Sequence, residues 1–280
     1  MKIQLNDLEI NIEKLSSTDE DSKAEGTIPV LFLHGFSGSS GDWKFLFDKL
    51  PKGFTPYAMD IVGHGKSSSP GEVSLYSSEA VTSQILGILD YLNFDQVFLA
   101  GYSMGGRAAL SFAVNNPQRL KGLILESSTA GITDESERRE RRSSDLRLAD
   151  FIENNPIEAF VDYWMDVPLF ATLKKLPEDV YRAVRESKMH NSKTGLANSL
   201  RGFSTGLMPG LWDRLQEINC RTLLITGELD KKFTRINIEM SRKIKPSDHE
   251  VIASAGHNIH LEKPEIFLNL LDGFLRGLQE

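Results

Sequence analysis

The sequence predicts an α/β protein in which helices flank a mostly parallel central sheet. Short apolar runs recur along the 280 residues, and each is followed by turn residues and then by a helical pattern. The runs are too short for helices and nearly continuous in apolar residues, as expected for strands covered on both faces. Strands separated by helices favour a parallel sheet with helices on both sides.

The elements can be placed in order along the chain. The N-terminal residues alternate between apolar and polar, and the polar, acidic stretch "SSTDEDSKAEG" at 16–26 predicts an exposed hairpin loop. The apolar runs that follow predict six further strands: "PVLFLHG", "TPYAMDI", "QVFLAGYS", "KGLILESS", "RTLLITGELD" and "HEVIASAGH".

A long stretch between the sixth and seventh strands contains only helical patterns. We expect residues 133–215 to form a helical cap, a candidate lid, and 1–132 together with 216–280 to form the core domain. The cap is expected to lie over the carboxyl edge of the sheet, where open α/β sheets bind their ligands.

Composition excludes several classes of protein. The net charge of −7 argues against non-specific binding to DNA or anionic membranes, and the single Cys220 cannot form an internal disulfide. The charged N-terminus lacks the apolar core of a signal peptide, and no segment approaches the ~18 consecutive apolar residues of a membrane span. We therefore expect a cytoplasmic protein, monomeric or weakly self-associating, that binds neither nucleic acid nor membrane.

Ser103 is the candidate nucleophile or base. It lies in "GYSMG", a G-x-S-x-G pattern with an apolar strand before it and a helix after it. Such a turn raises the serine Oγ above the sheet, and the N–H of Met104 at the helix start can face a developing oxyanion. The alternative is a glycine-rich turn without a catalytic role.

A serine hydroxyl needs an imidazole to take its proton and an acid to orient that imidazole. His257 is the expected base, because "ASAGHNIHLEKPE" follows the last strand and should place it over the sheet edge. His260 is expected to pack or hydrogen-bond beneath that loop. The remaining histidines fit structural turns or the surface: His34, His64, His190 and His249.

Two acids compete for the orienting role. Asp230 ends the strand before His257, and the order Ser, Asp, His suits this architecture. Glu126, one strand earlier, is the rival. Asp60 is expected to brace the "GHGKS" turn instead.

The second oxyanion donor should follow the strand "LFLHG", where the backbone N–H of Phe36 is the natural choice. Cofactor-free chemistry is expected. The sequence has no Cys/His cluster with metal-ligand spacing and no G-x-G-x-x-G that opens a helix after a strand.

Together these motifs resemble the α/β-hydrolase superfamily over nearly the whole chain, and so imply the α/β-hydrolase fold. A narrower resemblance, to the 2-succinyl-6-hydroxy-2,4-cyclohexadiene-1-carboxylate synthases of menaquinone biosynthesis, is carried by five segments. They are "GYSMGGRAAL", "ESSTAGITDESERRERRSSDLRLA", "FVDYWMDVPLF", "GLANSLRGFSTGLMPGLW" and "GHNIHLEKP". Many esterases share the serine and histidine motifs, whereas the arginine-rich helix and "LRGFSTGLMPGLW" are far more specific.

The resemblance implies a lyase that eliminates pyruvate from 2-succinyl-5-enolpyruvyl-6-hydroxy-3-cyclohexene-1-carboxylate. In this reaction His257, oriented by Asp230, makes Ser103 basic enough to take a ring proton α to the succinyl carbonyl. The N–H groups of Phe36 and Met104 would hold the resulting oxyanion.

A substrate with several carboxylates needs fixed cations, and guanidinium groups bind carboxylates through two hydrogen bonds. Arg107 lies one helical turn beyond Ser103. On the first cap helix, Arg138, Arg141 and Arg142 stand at three- and four-residue spacings with Asp145. The resemblance places the family's cap arginine on Arg141, although such a run also fits a solvated helix face.

The family's third arginine matches Lys188 here, with Arg185 three residues earlier. By the same resemblance Tyr102, Trp164 and Phe170 form apolar walls, although Trp164 and Phe170 fit a cap core equally well.

Two other functions remain open from the sequence. A carboxylesterase or C–C-bond hydrolase would use the same triad for covalent acyl transfer. A small-molecule receptor on this scaffold would bind its ligand without turnover.

Overall fold

Eight strands form a single sheet within residues 1–16 and 27–277, which are the residues that the computed structural model describes. Apart from Ser16, the loop predicted at 16–26 lies outside them. The strands are β1 Lys2–Leu5, β2 Leu8–Lys14, β3 Ile28–Leu33, β4 Phe54–Met59, β5 Val97–Tyr102, β6 Leu120–Glu126, β7 Arg221–Gly227 and β8 Ser247–Ile252. Their order is β1-β2-β4-β3-β5-β6-β7-β8.

The pairing of the strands explains why the N-terminal residues alternate between apolar and polar while the runs at the centre of the sheet are continuously apolar. β1 pairs antiparallel with β2, and β2 pairs antiparallel with β4, at one edge of the sheet, whereas the remaining pairs are parallel. The residues of β4 and β5 are buried throughout, because helices cover both faces of the sheet at its centre. Each of the six apolar runs overlaps one of β3 to β8, so the predicted α/β class with a mostly parallel sheet is confirmed.

The helices lie on both faces of the sheet and above one edge. They are α1 Ser78–Tyr91, α2 Met104–Asn115, α3 Glu135–Asn154, α4 Ile157–Asp166, α5 Glu178–Met189, α6 Lys193–Phe203, α7 Lys231–Lys243, α8 Ile259–Glu262 and α9 Pro264–Arg276. The buried apolar residues form one cluster on each face of the sheet. No helix in the described part of the chain is long and apolar enough to cross a membrane.

Helices α3 to α6 occupy the segment between β6 and β7, and its described residues contain no strand. They enclose an apolar cluster of their own, centred on residues such as Ile152, Phe160 and Leu196. Phe36, in the loop after β3, packs against this cluster and against the sheet. On α6, the Ser199 hydroxyl lies 3.5 Å from Sδ of Met104 at the start of α2. The inserted helices therefore lie over the carboxyl ends of the central strands.

Candidate active site

Ser103 lies in a sharp turn between the end of β5 and the start of α2. Its backbone has a φ of 50° and a ψ of −104°, a conformation that costs roughly 1–3 kcal/mol for a residue with a side chain. The flanking glycines allow it: a Cβ on Gly105 would lie 2.2 Å from the Leu33 carbonyl oxygen, and one on Gly101 2.4 Å from the Gly105 carbonyl oxygen. The turn holds the Ser103 hydroxyl at the carboxyl edge of the sheet.

We expect Gly105→Ala to destabilise the protein by about 3 kcal/mol or to prevent folding, because the added methyl group meets rigid backbone of β3. Denaturant unfolding measures the effect. Gly273→Ala is the matched control, since a Cβ at this exposed position in α9 has no neighbour within 4 Å. It should raise stability by roughly 0.5–1 kcal/mol. A Gly105→Ala protein as stable as the wild type would contradict this account of the turn.

Two hydrogen bonds connect Ser103 to His257 and Asp230. Nε2 of His257 lies 3.0 Å from Oγ of Ser103, and Nδ1 lies 2.6 Å from Oδ2 of Asp230. Asp230 also caps α7, since its Oδ1 accepts the N–H of Phe233 at 3.3 Å. The ring of Phe233 packs edge-on against the buried His257, with the ring centroids 4.5 Å apart. Three residues far apart in the sequence thus form a continuous chain of hydrogen bonds, in which Asp230 orients the imidazole that faces Ser103.

Glu126, the rival acid, binds a different histidine. Its Oε2 lies 2.7 Å from Nδ1 of His260, and its Oε1 accepts the His260 backbone N–H at 3.0 Å. The carbonyl oxygen of Glu126 accepts the N–H of Ser103 at 2.8 Å. His260 stacks on Trp43 at 4.3 Å. The pair therefore lies beneath the site, where it joins the Ser103 turn to the loop that carries His257.

We expect Glu126→Gln to cost roughly 1–3 kcal/mol of stability. The Glu126 carboxylate faces both the backbone N–H and the ring Nδ1 of His260, and the NH2 group of a glutamine would leave one of these two buried groups without an acceptor. Turnover should fall by less than about tenfold, below the 10²–10⁴ that a general acid–base group contributes. Urea unfolding and steady-state kinetics measure both. Glu265→Gln, with an exposed side chain, is the control. A folded Glu126→Gln protein that lost 10³-fold in kcat would instead make Glu126 the orienting acid.

Asp60, His34 and His64 support the loops beneath the site. Asp60 accepts the N–H of Lys66 at 2.8 Å, and so braces the "GHGKS" turn. Nε2 of His34 accepts the N–H of Ile61 at 3.0 Å. Burial lowers the pKa of His64 to about 3. These histidines are structural, as predicted.

A cavity of about 310 Å³ lies above Ser103, between the sheet and the inserted helices. Its lining includes the two predicted oxyanion donors, Phe36 and Met104. Met104 is the first residue of α2, and the first N–H groups of a helix have no acceptor within that helix. A second cavity, of about 450 Å³, continues outward past α3 and α7.

Arg107 reaches this cavity from the first turn of α2. It is buried, donates to the carbonyl oxygen of Phe203 at 2.7 Å and lies over the Phe203 ring. Burial and the charge of Arg141 lower the pKa of Arg107 to about 9, so that it still carries its proton at neutral pH. A buried cation of this kind favours an anionic ligand.

Arg141 alone among the three clustered arginines of α3 lines the cavity. Its Nε donates to the buried Asp145 at 2.7 Å, which holds the guanidinium in place. Arg138 turns instead to the carbonyl oxygen of Met208 at 3.4 Å, and Arg142 is exposed.

Lys188 and Arg185, the two candidates for the third cation, lie outside the lining of the Ser103 cavity. Lys188 lines a separate cavity of about 20 Å³, and its Nζ lies 3.3 Å from Oγ of Ser37. A space of this size holds about one water molecule. Arg185 donates to Asp162 at 2.7 Å on the outer side of the inserted helices.

Aromatic rings form the opposite wall of the cavity. Trp164 lies 5.2 Å from Phe36 and 5.5 Å from Phe170, and all three line the cavity. Tyr102 lies beneath them, 5.4 Å from the His257 ring. The indole Nε1 of Trp164 is buried, and has no hydrogen-bond partner among the described residues.

The described residues contain no group of three or more His, Cys, Asp or Glu side chains that could hold a metal ion.

Comparisons with known proteins show the family to which the chain belongs. A family model described as "alpha/beta hydrolase fold" matches residues 28–264. The chain is 43% identical over 249 residues to a Bacillus subtilis (strain 168) protein named "Putative 2-succinyl-6-hydroxy-2,4-cyclohexadiene-1-carboxylate synthase", over 89% of this chain and 90% of that protein. The Enterobacter sp. (strain 638) protein of that name, without "putative", is 32% identical over 88% of this chain and 91% of its own length. The solved structure of MenH from S. aureus, 33% identical, matches with a TM-score of 0.89 over 97% of this chain and 99% of that chain.

The chain belongs to this synthase family of the α/β hydrolases. The resemblance read from the sequence is thereby confirmed, and the chain is an enzyme with the α/β-hydrolase fold.

Sequence reasoning missed several residues of the candidate site. Thr129, Ser199, Thr205, Lys232 and Phe233 all line the cavity above Ser103. A signal was available for Lys232 and Phe233, which lie two and three residues after Asp230, just beyond the carboxyl end of β7. Thr129 and Thr205 lie in the segments around the inserted helices and Ser199 lies on α6, and no spacing rule relates them to Ser103.

Proposed function

We propose that this chain eliminates pyruvate from 2-succinyl-5-enolpyruvyl-6-hydroxy-3-cyclohexene-1-carboxylate and forms 2-succinyl-6-hydroxy-2,4-cyclohexadiene-1-carboxylate. One observation carries the proposal: the hydrogen-bonded Ser103–His257–Asp230 relay opens into the same cavity as the guanidinium groups of Arg107 and Arg141. A hydrolase of simple esters needs the relay, but it has no use for two cations facing the reacting group. The names of the relatives support the same reaction.

In the proposed chemistry Ser103 acts as a base. Its Oγ takes the proton from C2 of the ring while its own proton passes to Nε2 of His257. The freed electron pair forms the C2=C3 bond, the C3=C4 pair shifts to C4=C5, and the C5–O bond breaks. The leaving enolate of pyruvate regains a proton from the relay, so the enzyme returns to its starting state without a cofactor or a covalent intermediate.

The N–H groups of Phe36 and Met104 are proposed to stabilise the succinyl carbonyl oxygen as it becomes negative. A well-placed donor of this kind contributes roughly 10²–10³-fold, and a general base roughly 10²–10⁴-fold. Arg107 and Arg141 would bind carboxylates of the substrate, and Tyr102, Trp164 and Phe170 would enclose its ring. We also propose that residues 133–215 act as a cap on a core of 1–132 and 216–280. The cytoplasmic location and the monomeric or weakly associating state stay predictions.

The test is turnover of the enolpyruvyl substrate, with pyruvate measured by a coupled lactate dehydrogenase assay and p-nitrophenyl esters assayed in parallel. Rapid pyruvate release with poor ester hydrolysis supports the lyase. Good ester hydrolysis without pyruvate release would support the carboxylesterase, and tight binding without turnover would support a receptor.

A further inference from the structure

Among the described residues, those that line the cavity above Ser103 include cations and no carboxylate. Three charged side chains contribute to its described lining, and they are Arg107, Arg141 and Lys232. In the outer cavity, by contrast, Glu137 and Glu140 contribute two negative charges. An anion is therefore favoured close to Ser103 and less so farther out.

Lys232 stands at the junction of the two cavities. It is exposed, lies in the first turn of α7 and contributes to both linings, as do Arg141 and Phe233. Asp230, two residues earlier, binds His257, so the backbone that carries Lys232 is attached directly to the relay.

The charge of Lys232 has no evident structural use. Arg107 is held by the Phe203 carbonyl oxygen and Arg141 by Asp145, whereas no carboxylate of the described residues pairs with Lys232. A cation in the first turn of a helix is also repelled by the helix dipole, so α7 gains no stability from it. A free ammonium group at the mouth of an acid-free cavity is positioned for a ligand.

We propose that Lys232 is a substrate-binding residue that holds a carboxylate at the junction of the two cavities. The inference rests on the proposed function, whose substrate has three carboxylates: one on the ring, one on the succinyl chain and one on the enolpyruvyl group. Arg107, Arg141 and Lys232 supply one cation for each. Lys188, the residue matched to the family's third arginine, lines a cavity too small for a carboxylate group.

The experiment compares the steady-state kinetics of Lys232→Met with those of the wild type. Loss of a charged hydrogen bond should raise KM about tenfold to hundredfold, with kcat nearly unchanged because the relay is intact. Lys232→Arg should restore KM to within about threefold, since a guanidinium keeps the charge. Because Lys232 is exposed, its replacement should leave the unfolding transition unchanged.

Lys231→Met is the matched control. It removes the same charge from the same turn, but Lys231 is exposed and lines neither cavity. Its KM should stay at the wild-type value, as should that of Lys188→Met. An unchanged KM in Lys232→Met, or an equal rise in Lys231→Met, would overturn the inference.

A second measurement separates this inference from the proposed function. Binding of the enolpyruvyl substrate, which carries all three carboxylates, is measured by calorimetry with Ser103 replaced by alanine in every protein. If the wild type releases no pyruvate, the proposed function fails. Weaker binding to the protein with Ser103→Ala and Lys232→Met than to the one with Ser103→Ala and Lys231→Met would still support an anion site at Lys232, whereas equal binding, or none to Ser103→Ala, would overturn it.

Discussion

Replacing Ser103 with alanine should lower the rate of pyruvate release by at least about 10³-fold. The variant loses the hydroxyl that faces the cavity 3.0 Å from Nε2 of His257, and with it the proposed acceptor of the ring proton. The N–H donors of Phe36 and Met104 are backbone groups and survive the substitution, so some residual acceleration should remain. Stability should change by less than about 1 kcal/mol, because only a hydroxyl at the cavity surface is removed.

Ser111→Ala is the control for Ser103→Ala. Ser111 also lies on α2, but its hydroxyl bonds Ser78 at 3.0 Å, away from the cavity. Its loss should leave turnover unchanged. Near-normal pyruvate release by a folded Ser103→Ala protein would remove Ser103 from the mechanism. An acylated Ser103 detected by mass spectrometry during turnover would point to hydrolysis instead.

Arg107→Met should lower kcat/KM by about 10²–10³-fold. Arg107 is buried, so its removal would leave a substrate carboxylate desolvated and unpaired, which typically costs 2–5 kcal/mol. The methionine fills part of the volume without the charge. The kcat/KM of Arg107→Lys should lie between the values of the wild type and of Arg107→Met, because lysine keeps the charge but cannot make two parallel hydrogen bonds. Steady-state kinetics at fixed ionic strength measure all three proteins.

Arg139→Met removes a charge from an exposed site on α3, and should leave kcat/KM unchanged. Unfolding curves are needed for Arg107→Met, because the loss of Arg107 also leaves the Phe203 carbonyl oxygen without its donor. A variant that is less stable but retains wild-type kcat/KM would show that Arg107 only supports α6.

The local features of the site could be predicted from short stretches of sequence. The apolar runs identified β3 to β7 because buried strands are short and nearly continuously apolar, whereas only the end of the edge strand β8 is apolar. "GYSMG" identified the Ser103 turn because only glycine fits beside the backbone at 101 and 105. Asp230 and His257 were found by chain order, since parallel strands bring the residues that follow them to one edge.

The partners of these residues were harder to predict. Asp230 and Glu126 both lie at the carboxyl ends of neighbouring strands, β7 and β6, and each meets a histidine. The two histidines are only three residues apart on one loop. Their assignment depends on how that loop packs above Tyr102 and Trp43, which no local pattern encodes.

By itself, the sequence determined the α/β class, the strand order in the chain, the Ser103 turn and the family, because these follow from periodicity and from residues close together in the chain. Only the tertiary structure decided which cations reach the cavity. Arg141 lines it while Arg138 and Arg142 do not, and Lys232 lines it while Lys188 faces a space of about 20 Å³. The direction of a long side chain depends on packing between elements far apart in the chain. Arg107 on α2 and Phe203 on α6 are 96 residues apart, and spacing along one helix carries no information about that contact.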